Sequence, residues 1–262
     1  MKRFTKIVSI VLAIVMLVAL CTACGSEKTA SDFDYVKGNG KMVIGYTVYA
    51  PMNYEEDGKL VGFDTEFAEA VCEKLGVEPE FDVIDWDNKF LELESKSIDC
   101  IWNGMTITDE AKLNASVSKA YVKNAQVVVM DKSKANTYKT EEDMKDLKFV
   151  AEAGSAGEAA IKDNGLDANY TEVAAQSDAL LEVMSGSADA CVIDITMANA
   201  MTGEGTSYAS LTSVCELTTE EYGIAFRKES DLTEKVNAIM DELKADGTLE
   251  DIAKKYNLTL AF

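Results

Sequence analysis

Apolar residues recur at two spacings along this 262-residue chain, and their alternation predicts an α/β fold. Met42-Val43-Ile44-Gly45-Tyr46 is a short apolar run and predicts a buried strand. Phe63, Phe67, Val71 and Leu75 stand four apart, on one face of a helix that Gly76 stops. The pattern then predicts a strand over 77–83, a short helix over 87–95 and a strand over 99–102. This order implies a parallel sheet with right-handed crossovers. Near the C-terminus, Leu232, Val236, Ile239 and Leu243 share another helix face, ended by Asp246-Gly247. Leu249, Ile252 and Tyr256 extend that cover over the first lobe.

The pattern also repeats. Residues 91–99 (LELESKSID) match residues 181–189 (LEVMSGSAD) at five of nine positions, and an apolar strand follows each. One helix-turn-strand unit used twice predicts two similar lobes. In this register Gly104 and Asp194 fall at equivalent strand ends, which face each other across a cleft. Ligand sites favour such interfaces, just beyond strand ends. The run 125–130 is followed by polar residues 131–140, which places a hinge crossing near 129–132, and the chain returns over 221–226. Lobe one is therefore residues 41–130 with 223–262, and lobe two is residues 131–222.

Lys2, Arg3 and Lys6 precede an apolar run over 7–20, the pattern of a signal peptide and too short for a comfortable span. Small residues before Cys24 resemble a bacterial lipobox, which implies cleavage after residue 23 and lipidation of Cys24. Residues 24–40 are polar and predict a flexible tether. The protein is then expected outside the cytoplasm, anchored to the outer face of the cell membrane. An ordinary cleaved signal remains the alternative.

Composition narrows the chemistry. With 25 basic and 46 acidic residues the net charge is −21, which repels nucleic acid and anionic headgroups. The absence of His removes His-based triads, metal ligands and pH switches. Cys72, Cys100, Cys191 and Cys215 lack metal-cluster spacing and read as buried free thiols, with a disulfide left open. No metal and no cofactor is expected.

The run Asn103-Gly104-Met105-Thr106-Ile107-Thr108-Asp109-Glu110-Ala111 follows the strand at 99–102. It resembles the signature Gly-Met-Thr-Ile-Thr-x-Glu-Arg of the amino-acid-binding proteins that serve bacterial ABC transporters. Gly58-Lys59-Leu60-Val61-Gly62-Phe63-Asp64, Glu221-Tyr222-Gly223-Ile224-Ala225 and Leu243-Lys244-Ala245-Asp246-Gly247-Thr248-Leu249 extend the resemblance over residues 41–258. It implies a two-lobe, periplasmic-binding-protein-like type II fold that closes on a small polar ligand by a hinge. It implies a monomer that hands this ligand to a permease and ATPase.

Carried over residue by residue, the resemblance gives Gly104, Thr106 and Ser155 to a ligand carboxylate, with Asn103 and Ala156 beside them. It gives Asp194 to an α-ammonium, and Tyr49 and Trp86 to aromatic contact. Tyr46 and Glu152 stand where relatives differ. A Gly admits close backbone approach, and Ser155 with Ala156 opens a helix whose N–H groups favour anions. Local readings compete: Ser155 and Asp194 as helix caps, Thr108 and Asp109 as caps, and each aromatic as core. Ala111 replaces the Arg that would grip a carboxylate in two places. Tyr46, Tyr49, Trp86, Glu152 and Asp194 together favour a cationic or aromatic amine, either an amino acid or one lacking a carboxylate. A sensor for a membrane receptor and a dehydratase-like enzyme on the same fold are the rival classes.

Overall fold

A computed structural model describes residues 31–262. The signal peptide, Cys24 and the start of the tether lie outside the described residues. The described chain opens with helix Asp32–Asn39, so the second half of the expected tether is folded. Its polar composition hid its anchors. The Ser31 hydroxyl caps it, Val36 is fully buried, and Asp32 pairs with the buried Arg227 guanidinium at 3.0 Å. Asp231 accepts from both the Ser31 hydroxyl and the Phe33 N–H.

The chain continues through β1 (Lys41–Tyr46), the hairpin β2 (Tyr54–Glu56) and β3 (Lys59–Val61), and helix Phe63–Leu75. That helix buries Phe63, Phe67, Val71 and Leu75, the face the spacing predicts. Next come β4 (Glu78–Val83), a 3₁₀ turn at Trp86–Asn88 running into helix Lys89–Glu94, and β5 (Cys100–Ile101). Helix Asp109–Asn114, β6 (Ser116–Val117), β7 (Val122–Asn124) and β8 (Gln126–Asp131) follow. The second half holds β9 (Phe149–Glu152), helix Ala156–Asp163, β10 (Tyr170–Val173), helix Gln176–Ser185, β11 (Ala190–Asp194) and helix Ile195–Met201. It closes with β12 (Leu211–Glu216), β13 (Glu220–Tyr222), β14 (Ala225–Phe226) and helices Leu232–Ala245 and Thr248–Lys255.

Two five-stranded sheets result, ordered β4-β1-β5-β14-β6 and β10-β9-β11-β8-β12. In each, the central strands run parallel and the strand from across the hinge enters antiparallel. The architecture is the two-lobe α/β fold that the alternation implies. β8 pairs with β11 and β12, so it belongs to the second sheet. The crossing thus sits upstream of the expected 129–132, in the antiparallel ribbon of β7 and β13. An apolar strand buried on both faces carries no pattern that says which sheet it joins. Apolar packing runs through this ribbon without a break: Trp102, Tyr121 and Tyr222 share one buried cluster with Val127, Cys191 and Met197 of the other lobe. Cys72, Cys100 and Cys191 are free and buried, and Cys215 is free and half-buried.

The repeat has a structural counterpart. The Ser95 hydroxyl donates to the Glu92 carbonyl at 3.0 Å and meets Ser97 at 3.1 Å. Ser185 does the same with Glu182 at 3.1 Å and with Ser187 at 3.0 Å. Asp99 N–H donates to the Val43 carbonyl while its carboxylate accepts from Val43 N–H. Asp189 and Lys148 form the same pair. Each Asp therefore starts its strand by clamping the neighbouring parallel strand.

Candidate functional site

Both copies of the unit end in one cleft of about 330 Å³ between the lobes. Its lobe-one wall is the Trp86 turn, Lys89 and the loop from Asn103 to Ala111. Its lobe-two wall is Glu152, the Gly154–Ala156 turn, Gln176 and Asp194. A more open cavity of about 550 Å³ runs along Lys123–Ala125 and Lys255–Thr259. Its ionisable groups, Lys123, Glu216 and Lys255, are solvated, so the smaller cleft with buried charge is the candidate site.

The loop after β5 is held from below. Asn103 accepts from Thr47 N–H at 3.1 Å and donates to the Thr47 carbonyl at 2.9 Å. Gly104 has φ +56, and a Cβ there would stand 2.8 Å from the Tyr49 ring and 3.1 Å from the Tyr222 ring. Its N–H donates to Asp64 at 2.6 Å, and the Tyr121 hydroxyl donates to the same oxygen at 2.9 Å. Burial pushes the Asp64 carboxyl up to about 7, against the Gly104 N–H and the Tyr121 hydroxyl that hold it down. Thr106 donates to Glu220 on the hinge strand at 2.7 Å. Thr108 caps helix Asp109–Asn114 by accepting from Ala111 N–H at 3.0 Å, and Ala111 packs into the core behind it.

On the facing wall, Asp194 ends β11 and is buried. It accepts from the Gln126 amide at 2.9 Å and the Tyr222 hydroxyl at 2.8 Å, and from the amides of Asn124 and Gln176. It makes no side-chain cap, since every donor comes from elsewhere in the fold. Asn124 and Gln126 also donate to Glu220, at 2.6 and 2.7 Å, so two acids share two amides. Burial, and then the Glu220 carboxylate, pushes the Asp194 carboxyl up. Glu152 ends β9, is 2% exposed, and has one oxygen without a partner. Burial pushes its carboxyl up to about 8, opposed by the Thr47 hydroxyl and the Lys89 ammonium, while Asp194 adds to the rise. Ser155 accepts from Glu158 N–H at 3.1 Å and so caps helix Ala156–Asp163.

Eight of the ten residues expected at the site line this one cleft: Trp86, Asn103, Gly104, Thr106, Glu152, Ser155, Ala156 and Asp194. Tyr46 and Tyr49 do not. Tyr46 packs edge-on against Phe81, with ring centroids 6.2 Å apart. Tyr49 is buried beneath Gly104, with its hydroxyl against those of Thr196 and Tyr222. Tyr46 ends β1 and Tyr49 lies just past it, where sequence order alone does not say which side chain faces the cleft. Sequence reasoning missed Lys89, Gln176 and Glu220. Lys89 had a signal, a lysine among the apolar positions Trp86, Phe90 and Leu93; Glu220 had none, because its role comes from the hinge pairing.

A model of the bacterial extracellular solute-binding proteins, family 3, matches residues 24–259. The chain belongs to this family. Among curated relatives, the arginine-binding extracellular protein ArtP of Bacillus subtilis is 31% identical, over 93% of this chain and 96% of that protein. The ABC transporter glutamine-binding protein GlnH of the same organism is 29% identical, over 98% and 97%. A solved arginine-binding protein from T. maritima superposes with a TM-score of 0.80 at 32% identity, over 86% of this chain and 98% of that one. The two-lobe fold with a central cleft is therefore the family's solute-binding frame. The family signature continues into Ala111 here, which is 2% exposed and cannot reach into the cleft with a charge.

Proposed function

We propose that this family member captures an amino acid or related amine outside the cytoplasm and hands it to an ABC importer. Its site favours a ligand carrying a positive charge. The carrying observation is the Glu152 carboxyl, buried in the cleft wall with one oxygen unpartnered and close in field to Asp194. Burial outweighs the Thr47 hydroxyl and the field of Lys89, and a ligand ammonium or guanidinium would favour the ionised carboxylate further. Asp194 and Gln176 complete a pocket suited to such a group. Relatives named for binding arginine and glutamine support amino-acid capture and leave the choice among side chains to these residues.

Capture works by closure. Lys89, Thr106 and Gly104 lie on one side, Glu152, Ser155 and Asp194 on the other, and the β7–β13 ribbon joins the halves. A ligand touching both walls stabilises the closed arrangement by its extra contacts there. The protein acts as a monomer, lipid-anchored through Cys24, and releases its ligand unchanged. A thermal-shift screen of the purified protein against the common amino acids tests the reading. L-arginine or L-lysine should raise the melting temperature most. The largest shift from L-glutamate or L-aspartate would overturn the charge assignment.

A further inference from the structure

The cleft is lined by five acids, Asp109, Glu110, Glu152, Asp163 and Asp194, and by a single cation, Lys89. Lys89 opens helix Lys89–Glu94, yet it is only 7% exposed, because its side chain turns inward over the rings of Trp86 and Phe90 at 5.1 Å each. Its ammonium donates to the Trp86 carbonyl at 3.1 Å and crosses the cleft to the Gly154 carbonyl at 2.9 Å. An ammonium has three donors, and only these two find acceptors among the described residues. None of the ion pairs within 4.0 Å among those residues includes it. Burial pushes the Lys89 ammonium down, while the Glu110, Glu152, Asp87 and Glu158 carboxylates, none of them in direct contact with it, hold it up, so its third donor is the one left for a ligand's anion.

The other wall offers a second anion donor at the same place. Gly154 directly precedes Ser155, the cap of helix Ala156–Asp163. Ala156, the first residue of that helix, lines the cleft, and its N–H makes no backbone hydrogen bond among the described residues. A helix start of this kind carries a partial positive charge. Gly154 holds φ +67, and a Cβ there would come 2.7 Å from the Asp87 carboxylate, so the turn sits hard against the loop that carries Lys89. Two donors, one from each lobe, thus flank the same corner of the cleft.

We propose that Lys89 is the specificity-determining cation of this site: its ammonium, with the Ala156 N–H, receives the carboxylate of the bound solute. The ligand is then a full amino acid and not a simple amine. Its carboxylate takes up the free donor of Lys89 and ties it to the start of helix Ala156–Asp163, adding a second link across the cleft beside the Gly154 carbonyl. The acids Glu152 and Asp194 hold the opposite charge of the same molecule. The inference rests on the ligand class proposed above and adds which residue reads the carboxylate.

Isothermal titration of the unmodified protein and of its Lys89→Met and Lys89→Gln variants, each with L-arginine and with its decarboxylated counterpart agmatine, tests this. Circular dichroism confirms that each variant is folded, and the Gln variant keeps a polar donor should Met disturb the loop. The unmodified protein should prefer arginine to agmatine, and either variant should lower that preference by about 30-fold or more, the scale of losing one partner of a desolvated charge pair. Equal losses for both ligands would overturn the role of Lys89 and leave the cationic site standing. Agmatine binding the unmodified protein as tightly as arginine would also overturn it. If neither compound binds, the ligand class fails, and this inference with it.

Discussion

The two copies of the helix-turn-strand unit share a backbone and differ in how their charges are placed. Asp99 and Asp189 clamp their neighbouring strands by the same pair of hydrogen bonds. Asp99 then meets the Arg227 guanidinium at 2.9 Å, buried with Asp32 at 3.0 Å on its other side. Asp189 meets Lys134 at 2.7 Å, where both side chains are more than a third exposed. At the far ends the copies part further. One strand runs into a glycine loop that an acid supports from below; the other ends on a buried acid in the cleft itself. The turn is reused because it solves a local problem, the start of a parallel strand. The strand ends diverge because they meet the ligand.

Breaking the buried side of this comparison should have the largest effect. Arg227→Met leaves Asp32 and Asp99 uncompensated in the core and should cost about 3–5 kcal/mol in urea unfolding. At the cleft, Asp194→Ala removes the acceptor of four side-chain donors, and arginine affinity should fall by about 100-fold in calorimetry while β11 stays paired.

The pH dependence sharpens the contrast between a buried acid of the cleft and an exposed surface pair. Glu152 has its folded pKa raised to about 8 from 4.5, so the folded state holds a proton that the unfolded chain releases between those values. Its contribution to stability is full below 4.5 and is lost as pH rises through 8. Glu152→Gln should therefore melt about 3 °C or more above the unmodified protein at pH 8.5, with the gap closing toward pH 4.5. Lys134→Met, the exposed counterpart of Arg227, should cost less than about 1 kcal/mol in the same unfolding assay. A Lys134 effect as large as that of Arg227 would dissolve the distinction between the copies.

Much of this was legible along the chain, and its limits are physical. The helix at 63–75, β1, β5 and β11 follow from apolar spacing, because burial of one face is a local requirement. The repeat gave both strand ends, and with them Gly104 and Asp194 in one cleft. The family resemblance supplied Thr106, Ser155 and Glu152 on its walls. What stayed hidden depends on distant pairing. Helix Asp32–Asn39 is polar enough to read as a tether, and it folds because Arg227 and Asp231, almost two hundred residues away, receive its first turn. The apolar run of β8 fits either sheet, so spacing alone leaves it on the wrong side of the hinge. Glu220 gains its place only when β13 pairs with β7, which brings it to Asn124, Gln126 and Thr106.

The proposed cation site rests on the buried carboxyls at the lobe-two strand ends. Titrating L-arginine into the purified protein at pH 7, in buffers of different ionisation enthalpy, tests it most directly. Burial holds both the Glu152 and the Asp194 carboxyls up, so a cationic ligand that favours their ionised forms should release protons on binding. Arginine binding without proton release, or saturation by L-glutamate in place of arginine, would contradict the account.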